Sequence, residues 1–178
     1  MIHPLSEPVA VATESRRLVL RQFTLDDVDA VTAMYSDPIG MKFKGPPRSH
    51  QWAREMIADT IRYYTEHGFG RWAIISKAYQ RFVGLCGFLH QHVDGANEIE
   101  ISYHLDRSYW GRGFATEAAI AVRESGFGRL GFSRLVSLVN PLNIASQRVA
   151  TKNGMQYEKE VFWKGHSVWV YAINCDSN

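Results

Sequence analysis

No stretch of this sequence approaches the ~20 consecutive apolar residues that a membrane-spanning helix requires, so no membrane contact is expected. Cysteine is scarce. Cys86 and Cys175 are the only two, with no Cys-x-x-Cys spacing and no accompanying histidine set. That argues against a disulfide scaffold and a structural zinc site, and no metal is expected. Neither sign of charge is in excess: 20 Lys and Arg stand against 18 Asp and Glu, a formal net charge of +2. So balanced a chain is not expected to take nucleic acid as its main partner. The first fifteen residues lack both a basic start and a continuous apolar run, so no signal peptide is expected and the cytoplasm is the default location. Pro4, Pro8 and the small residues around them suggest a loose arm over residues 1–12. Low-complexity blocks, internal repeats and Pro- or Ser-rich linkers are absent, which leaves residues 13–175 as one domain.

What is present is a regular alternation of strand and helix patterns. Arg17–Phe23 alternates polar and apolar residues and predicts a strand. Thr24 is a candidate N-cap with Asp27 three residues on, followed by a helix that carries Leu25, Val28, Val31, Thr32 and Tyr35 at helical spacing. Gly40, Gly45, Pro46 and Pro47 make a loop. From about Ser49 a second helix has Ala53, Met56, Ile57, Thr60, Ile61 and Tyr64 on one stripe and ends at Gly68. Strands are predicted at Arg71–Ser76, Phe82–His92 and Glu98–Leu105, with Asp94-Gly95 as the turn between the last two. A helix from about Gly113 buries Ala115, Ala118, Ala119 and Val122. A strand at Arg134–Val139, a short helix at Ala145–Asn153 and strands at Gln156–Trp163 and Val168–Ile173 complete the chain. The order βααβββαβαββ is that of an α/β fold, a mixed central sheet of about seven strands with helices on both faces.

The most informative segment is Trp110-Gly111-Arg112-Gly113-Phe114-Ala115-Thr116, between a strand and a helix. Such a loop aims free backbone N–H groups at a ligand, and the helix dipole favours an anion there. The glycines let the backbone approach closely, and Arg112 adds a charged donor, which together suit a pyrophosphate. A nucleotide P-loop needs Gly-Lys-Ser/Thr, which is absent. A dinucleotide fingerprint needs Gly or Ala where Thr116 stands and an acidic residue where Ser133, Arg134 and Leu135 stand. The third possibility is the coenzyme A loop Q/R-x-x-G-x-G/A, matched by Gly113 and Ala115 but not by Trp110. An ordinary glycine turn into a helix is the plain alternative.

Around this loop the chain resembles the GNAT superfamily of N-acetyltransferases. Trp110 to Ala118 is similar to the branch that acetylates ribosomal-protein N-termini, the RimJ/RimL-like enzymes. Glu100-Ile101-Ser102-Tyr103-His104-Leu105 resembles the family's Glu-Ile-Gly-Tyr-x-Leu strand. Asn143 through Ser146, Arg148, Lys152, Gly154 and Met155 resembles its Asn-x-x-Ser helix, and Arg17–Arg21 its opening strand. The resemblance runs in order from residue 13 to 173. It implies a GNAT fold and transfer of an acetyl group from acetyl-CoA to a primary amine, most simply a protein N-terminal α-amine. The alternatives are a small-molecule amine (polyamine, aminoglycoside or amino acid) and a CoA-binding sensor without turnover. A monomer or homodimer is expected.

The reaction needs removal of the ammonium proton and stabilisation of an oxyanion. By resemblance Glu100 is the candidate base, acting through water; a solvated strand carboxylate is the alternative, and Glu98 leaves the same face. The strand backbone at Tyr103, His104 and Leu105 is implied to meet CoA and the thioester oxygen, with the His104 side chain simply packed. Gly111, Arg112, Gly113, Phe114, Ala115 and Thr116 are implied to cradle the pyrophosphate. Asn143 and Ser146 would bond the pantetheine arm, and Arg148, with Lys152, the 3′-phosphate. Where many relatives carry a tyrosine that protonates the leaving thiolate, this chain has Ala150. Ser146 is the substitute, unless it is only a helix-end hydroxyl. Lys42, Lys44 and Arg48 border the acceptor groove in this family.

Overall fold

The computed structural model describes residues 11–175. Twelve regular elements follow in order: β1 (Val11–Glu14), β2 (Leu18–Arg21), α1 (Val28–Ser36), α2 (His50–His67), β3 (Arg71–Ser76), β4 (Arg81–Val93), β5 (Ala96–Leu105), α3 (Phe114–Gly128), β6 (Arg134–Val139), α4 (Ile144–Lys152), β7 (Gln156–Trp163) and β8 (His166–Asn174). The strands form one sheet in the order β1-β2-β3-β4-β5-β6-β8-β7. Every neighbouring pair is antiparallel except β5 and β6.

The expected mixed sheet with helices is present, with eight strands rather than seven. The addition is β1, which pairs with β2 through Thr13 opposite Leu20 and Glu14 opposite Val19. Val11 and Ala12 of the segment expected to be a loose arm belong to it; residues 1–10 lie outside those described. Four residues carry too little alternation to declare a strand, and β1 exists because the edge of β2 offers it a ladder.

Two apolar layers sandwich the sheet. Leu18, Leu20, Trp72, Ile74, Phe88, Ile101 and Leu135 pack with Ala118, Ala119 and Val122 of α3 and Ala150 of α4. On the other face Ala73 and Leu85 meet Val28, Val31, Met34 and Tyr35 of α1 and Ala53, Met56 and Ile57 of α2. Leu25 and Ile61, read as buried from their spacing, face outward, and Met34 is buried instead. Helix ends follow local chemistry. Ser49 Oγ accepts from Trp52 N–H at 3.1 Å to start α2, and Gly68 ends it at φ +75°. The Asp94-Gly95 and Lys164-Gly165 turns both place their two residues at positive φ, as two-residue hairpins require. Among the described residues no helix is long and apolar enough to cross a membrane, and no group of three His, Cys, Asp or Glu could hold a metal.

Candidate active site

β5 and β6 touch at a single ladder position, Glu100 opposite Val136, and then part. Ser137 Oγ donates to the Ile101 carbonyl at 2.9 Å where the gap opens. The Ile101 carbonyl therefore points toward β6. By the two-residue period of a strand, the backbone groups of Tyr103 and Leu105 leave on that side, and those of His104 turn toward β4. Trp110 Nε1 donates to the Leu105 carbonyl at 3.1 Å, which leaves the Tyr103 backbone open in the gap. A cavity of about 70 Å³ fills the opening, lined by residues that include Lys44, Glu100, Tyr103, Asn143 and Ser146.

The α3 and α4 side of this gap is built largely from backbone. Among the described residues no protein group accepts from the N–H groups of residues 111–116; the first helical bond runs from Glu117 N–H to the Gly113 carbonyl at 3.0 Å. Gly113 sits at φ +79° immediately before α3, a conformation that costs an ordinary residue about 1–2 kcal/mol. The loop is held from outside by Arg17, whose Nη1 donates to the Arg112 carbonyl at 3.0 Å. Its Nε meets Glu117 at 2.6 Å, and its guanidinium lies 4.7 Å from the centre of the Phe114 ring. Glu117 is partly buried, which acts to raise its pKa, but hydrogen bonds from Ser15 and from the Arg17 backbone and side chain hold it below the usual glutamate range. With its carboxylate so engaged, the positive end of α3 remains available to another anion. Arg112 is turned aside: its Nη1 donates to Tyr79 Oη at 2.9 Å, and the group lines a neighbouring basic cleft with Arg16, Arg17 and Lys77.

α4 begins at Asn143, whose Oδ1 accepts from Ser146 N–H at 3.1 Å. Tyr103 crosses from β5 and donates its hydroxyl to the Ser146 carbonyl at 2.9 Å. This contact joins two residues that the sequence motifs placed separately, and it brings a phenol beside Ser146. Burial pushes the Tyr103 pKa up. Ala150 is buried in the core. Arg148 is exposed on the outer turn of α4.

The opposite side of the gap is built from side chains. Glu100 is buried, and its Oε2 accepts from Gln91 Nε2 at 2.7 Å. Burial raises its pKa, opposed by that hydrogen bond and by the positive charges of Lys44, Arg71 and Lys164. Lys44 is an exposed residue whose ammonium end lies among these groups; its desolvation there holds its pKa below the usual lysine value. Lys164 reaches in from the β7–β8 turn, with Nζ 3.4 Å from Gln91 Oε1. His104 stacks on Tyr35 at 4.8 Å. Burial, with the charges of Lys44 and Arg71, lowers its pKa to about 3, so the ring is neutral. Glu98, the other carboxylate on this face, is occupied by Arg134 at 3.1 Å.

The arrangement suits a two-sided reaction. One side presents free N–H groups and a helix N-terminus, which fit the phosphates of coenzyme A; the other presents a carboxylate with raised pKa; the open Tyr103 backbone lies between them. The sequence reading missed Arg17 and Glu117 as a clamp on the loop, Gln91 as the partner of Glu100, and Arg71. Only the Arg17 motif carried any signal, and that signal was for a strand.

Residues 17–156 match the acetyltransferase (GNAT) domain family. Over 149 residues the chain is 34% identical to p20, an uncharacterised N-acetyltransferase of Bacillus licheniformis, covering 82% of each protein. A GNAT-family acetyltransferase structure from Bacillus anthracis superposes with a TM-score of 0.78 at 25% identity, covering 91% of this chain and 97% of that one. RimL, a ribosomal α-N-protein acetyltransferase solved in complex with coenzyme A, superposes with a TM-score of 0.77 at 21% identity, covering 95% and 100%.

Proposed function

Because the chain belongs to the GNAT family and is an N-acetyltransferase, we propose that it transfers the acetyl group of acetyl-CoA to the N-terminal α-amine of a protein, of the ribosomal-protein type that its loop motif resembles. The observation that carries this reading is the parting of β5 and β6 beyond Glu100, with a backbone-built anion cradle on one side and a buried carboxylate on the other.

In this reading the pyrophosphate lies against the N–H groups of residues 111–116, and Arg17 keeps that loop in place. Asn143, Ser146 and the Tyr103 backbone meet the pantetheine arm and the thioester oxygen, and Arg148 meets the outer phosphate. Glu100 takes the ammonium proton through water. A free α-amine has a pKa of ~7.7–8.0 against ~10.4 for lysine, so a base of modest strength suffices. A carboxyl raised by burial is better matched to that proton than an ordinary glutamate. The leaving thiolate, with a pKa of ~8.5 for an ordinary thiol, needs less help than an expelled amine. Ser146 supplies its proton or orders the water that does; the Tyr103 hydroxyl beside it is the rival donor.

A second reading, a CoA-binding sensor, draws on Ala150, which stands buried where many relatives carry the acid. One experiment separates the two. Purified protein is given acetyl-CoA with N-terminal peptides, spermidine, an aminoglycoside and free amino acids, while CoA release and the melting temperature are followed. Transfer to peptides supports the proposal. A raised melting temperature without CoA release from any amine supports the sensor.

A further inference from the structure

The acceptor side of the gap holds more positive charge than its one catalytic carboxylate can use. Lys44, Arg71 and Lys164 all act on Glu100, which makes three cations against one carboxylate. Arg48 lies close by: its guanidinium sits 5.4 Å from the Trp52 ring centre, and Trp52 in turn packs on Tyr35. The other acidic group acting nearby, Asp37, is held by Arg107 at 2.7 Å. Among the described residues Lys44, Arg48, Arg71 and Lys164 form no ion pair of their own.

Two of these groups also have unused donors. The Nε atoms of Arg48 and Arg71 are buried with no hydrogen-bond partner. A buried donor left unpaired is destabilising, more so on a charged group, so such donors need an explanation. Backbone packs closely beside Arg71. Arg71 stands opposite Gly87 on β4, and Gly87 stands opposite Ser102 on β5. Gly87 has no side chain to fill that row, and a Cβ there would lie 2.1 Å from the Gly70 carbonyl. Lys164 comes from the other wall: Gln91 accepts from it and donates to Glu100, so one amide links the cation to the carboxylate.

We infer that Arg71, Lys44 and Lys164, with Arg48 behind them, form an anion-binding subsite for the acceptor, which is an N-terminal peptide carrying carboxylate side chains in the residues after its α-amine. This rests on the N-terminal reading above and adds a substrate class to it. The peptide amine lies at Glu100 while its acidic side chains meet the cations and supply acceptors for the two unpartnered Nε atoms. A polyamine would bring further positive charge into the same space. Like charges brought close in a partly desolvated site repel.

The test uses the full chain, acetyl-CoA and three peptides with the same first residue, followed by two Glu, two Gln or two Lys; free glutamate and spermidine are run beside them. The Glu peptide is expected to exceed the Gln peptide by about tenfold in kcat/KM, and the Lys peptide by about a hundredfold. Lys164 is exposed on a turn, so Lys164→Glu should fold. It is expected to lower the Glu-to-Lys preference at least tenfold, while Lys164→Arg preserves it. Arg71→Gln should lower the same ratio, with Arg71→Lys as its control. Equal use of all three peptides, or preference for Lys peptide or spermidine, overturns the subsite and leaves N-terminal transfer standing. Acetylation of free glutamate without any peptide overturns the N-terminal reading and supports the subsite.

Discussion

The two faces of the sheet meet at one gap but are made differently. The α3 and α4 face offers a row of backbone N–H groups, a helix N-terminus and the capped start of α4. The α1 and α2 face offers Glu100, His104, Lys44 and Arg71, brought from β5, the loop after α1, and β3. The first face is built from one continuous loop and one helix cap, so any sequence that makes the turn makes most of the site. The second depends on distant segments arriving at one place. Backbone donors are indifferent to side-chain identity, whereas the charge of Glu100 depends on which cations surround it. The α3 and α4 side therefore depends little on side-chain identity, and the α1 and α2 side depends on it strongly.

The sharpest break of this comparison is Gly113→Asp. A carboxylate at φ +79° beside the free N–H groups strains the turn and repels phosphate. It should abolish the acetyl-CoA thermal shift, worth ~2.7 kcal/mol at a ligand concentration 100 times Kd, and with it turnover. Differential scanning fluorimetry with and without acetyl-CoA reads the result, and an unchanged shift would remove this loop from CoA binding.

Glu100→Gln acts only on the other half. Turnover should fall about 10²-fold or more with the acetyl-CoA shift retained. The pH dependence has a defined sign. The Glu100 pKa is raised in the folded state, so the folded protein holds this proton more tightly than the unfolded chain. That contribution to stability is present below the unfolded value and is lost as pH rises through the folded one. Glu100→Gln should thus match or exceed wild type in melting temperature at pH 7–8, the difference closing toward low pH. The acid limb of wild-type kcat/KM should lie above the ordinary glutamate pKa of ~4.3. A limb at or below that value contradicts the assignment.

A smaller effect sharpens the boundary between the halves. Ser146→Ala should reduce kcat by ~10–100-fold, with acetyl-CoA affinity changed by no more than one hydrogen bond, ~0.5–1.5 kcal/mol. Loss of melting temperature alone, with kcat intact, would make Ser146 a helix-end hydroxyl. Tyr103→Phe is the companion variant: if it loses more kcat than Ser146→Ala, the phenol is the proton donor. The smallest expected effect is that of Arg17→Ala, which frees the Arg112 carbonyl and Glu117 together. It should raise KM for acetyl-CoA by about tenfold, equivalent to ~1.4 kcal/mol, and leave kcat nearly unchanged. A fall in kcat at unchanged KM would contradict the clamp.

The strands Arg71–Ser76, Arg134–Val139 and Gln156–Trp163 are legible in the sequence at both ends, because short apolar or alternating runs between turn residues leave little else possible. The Gly-rich loop and Asn143 are legible for the same local reason: a turn, a cap and a helix start lie within a few residues. Gln91 against Glu100 was not legible, because an ordinary glutamine on a strand signals nothing until hairpin register sets it beside its partner. Arg17 resembled a strand residue, and its clamp on Glu117 spans 100 positions.

By itself the sequence determined the order of the elements from Leu18 onward and the glycine turn before α3, since each of these is written in short-range spacing and backbone chemistry. Only the tertiary structure decided that β5 and β6 part after one ladder position, that His104 is stacked and neutral, and that Glu100 is buried among Lys44, Arg71 and Lys164. Burial and charge proximity are properties of the packed chain: a carboxylate acquires its pKa from neighbours that lie dozens of residues away along the sequence, and no local pattern encodes them.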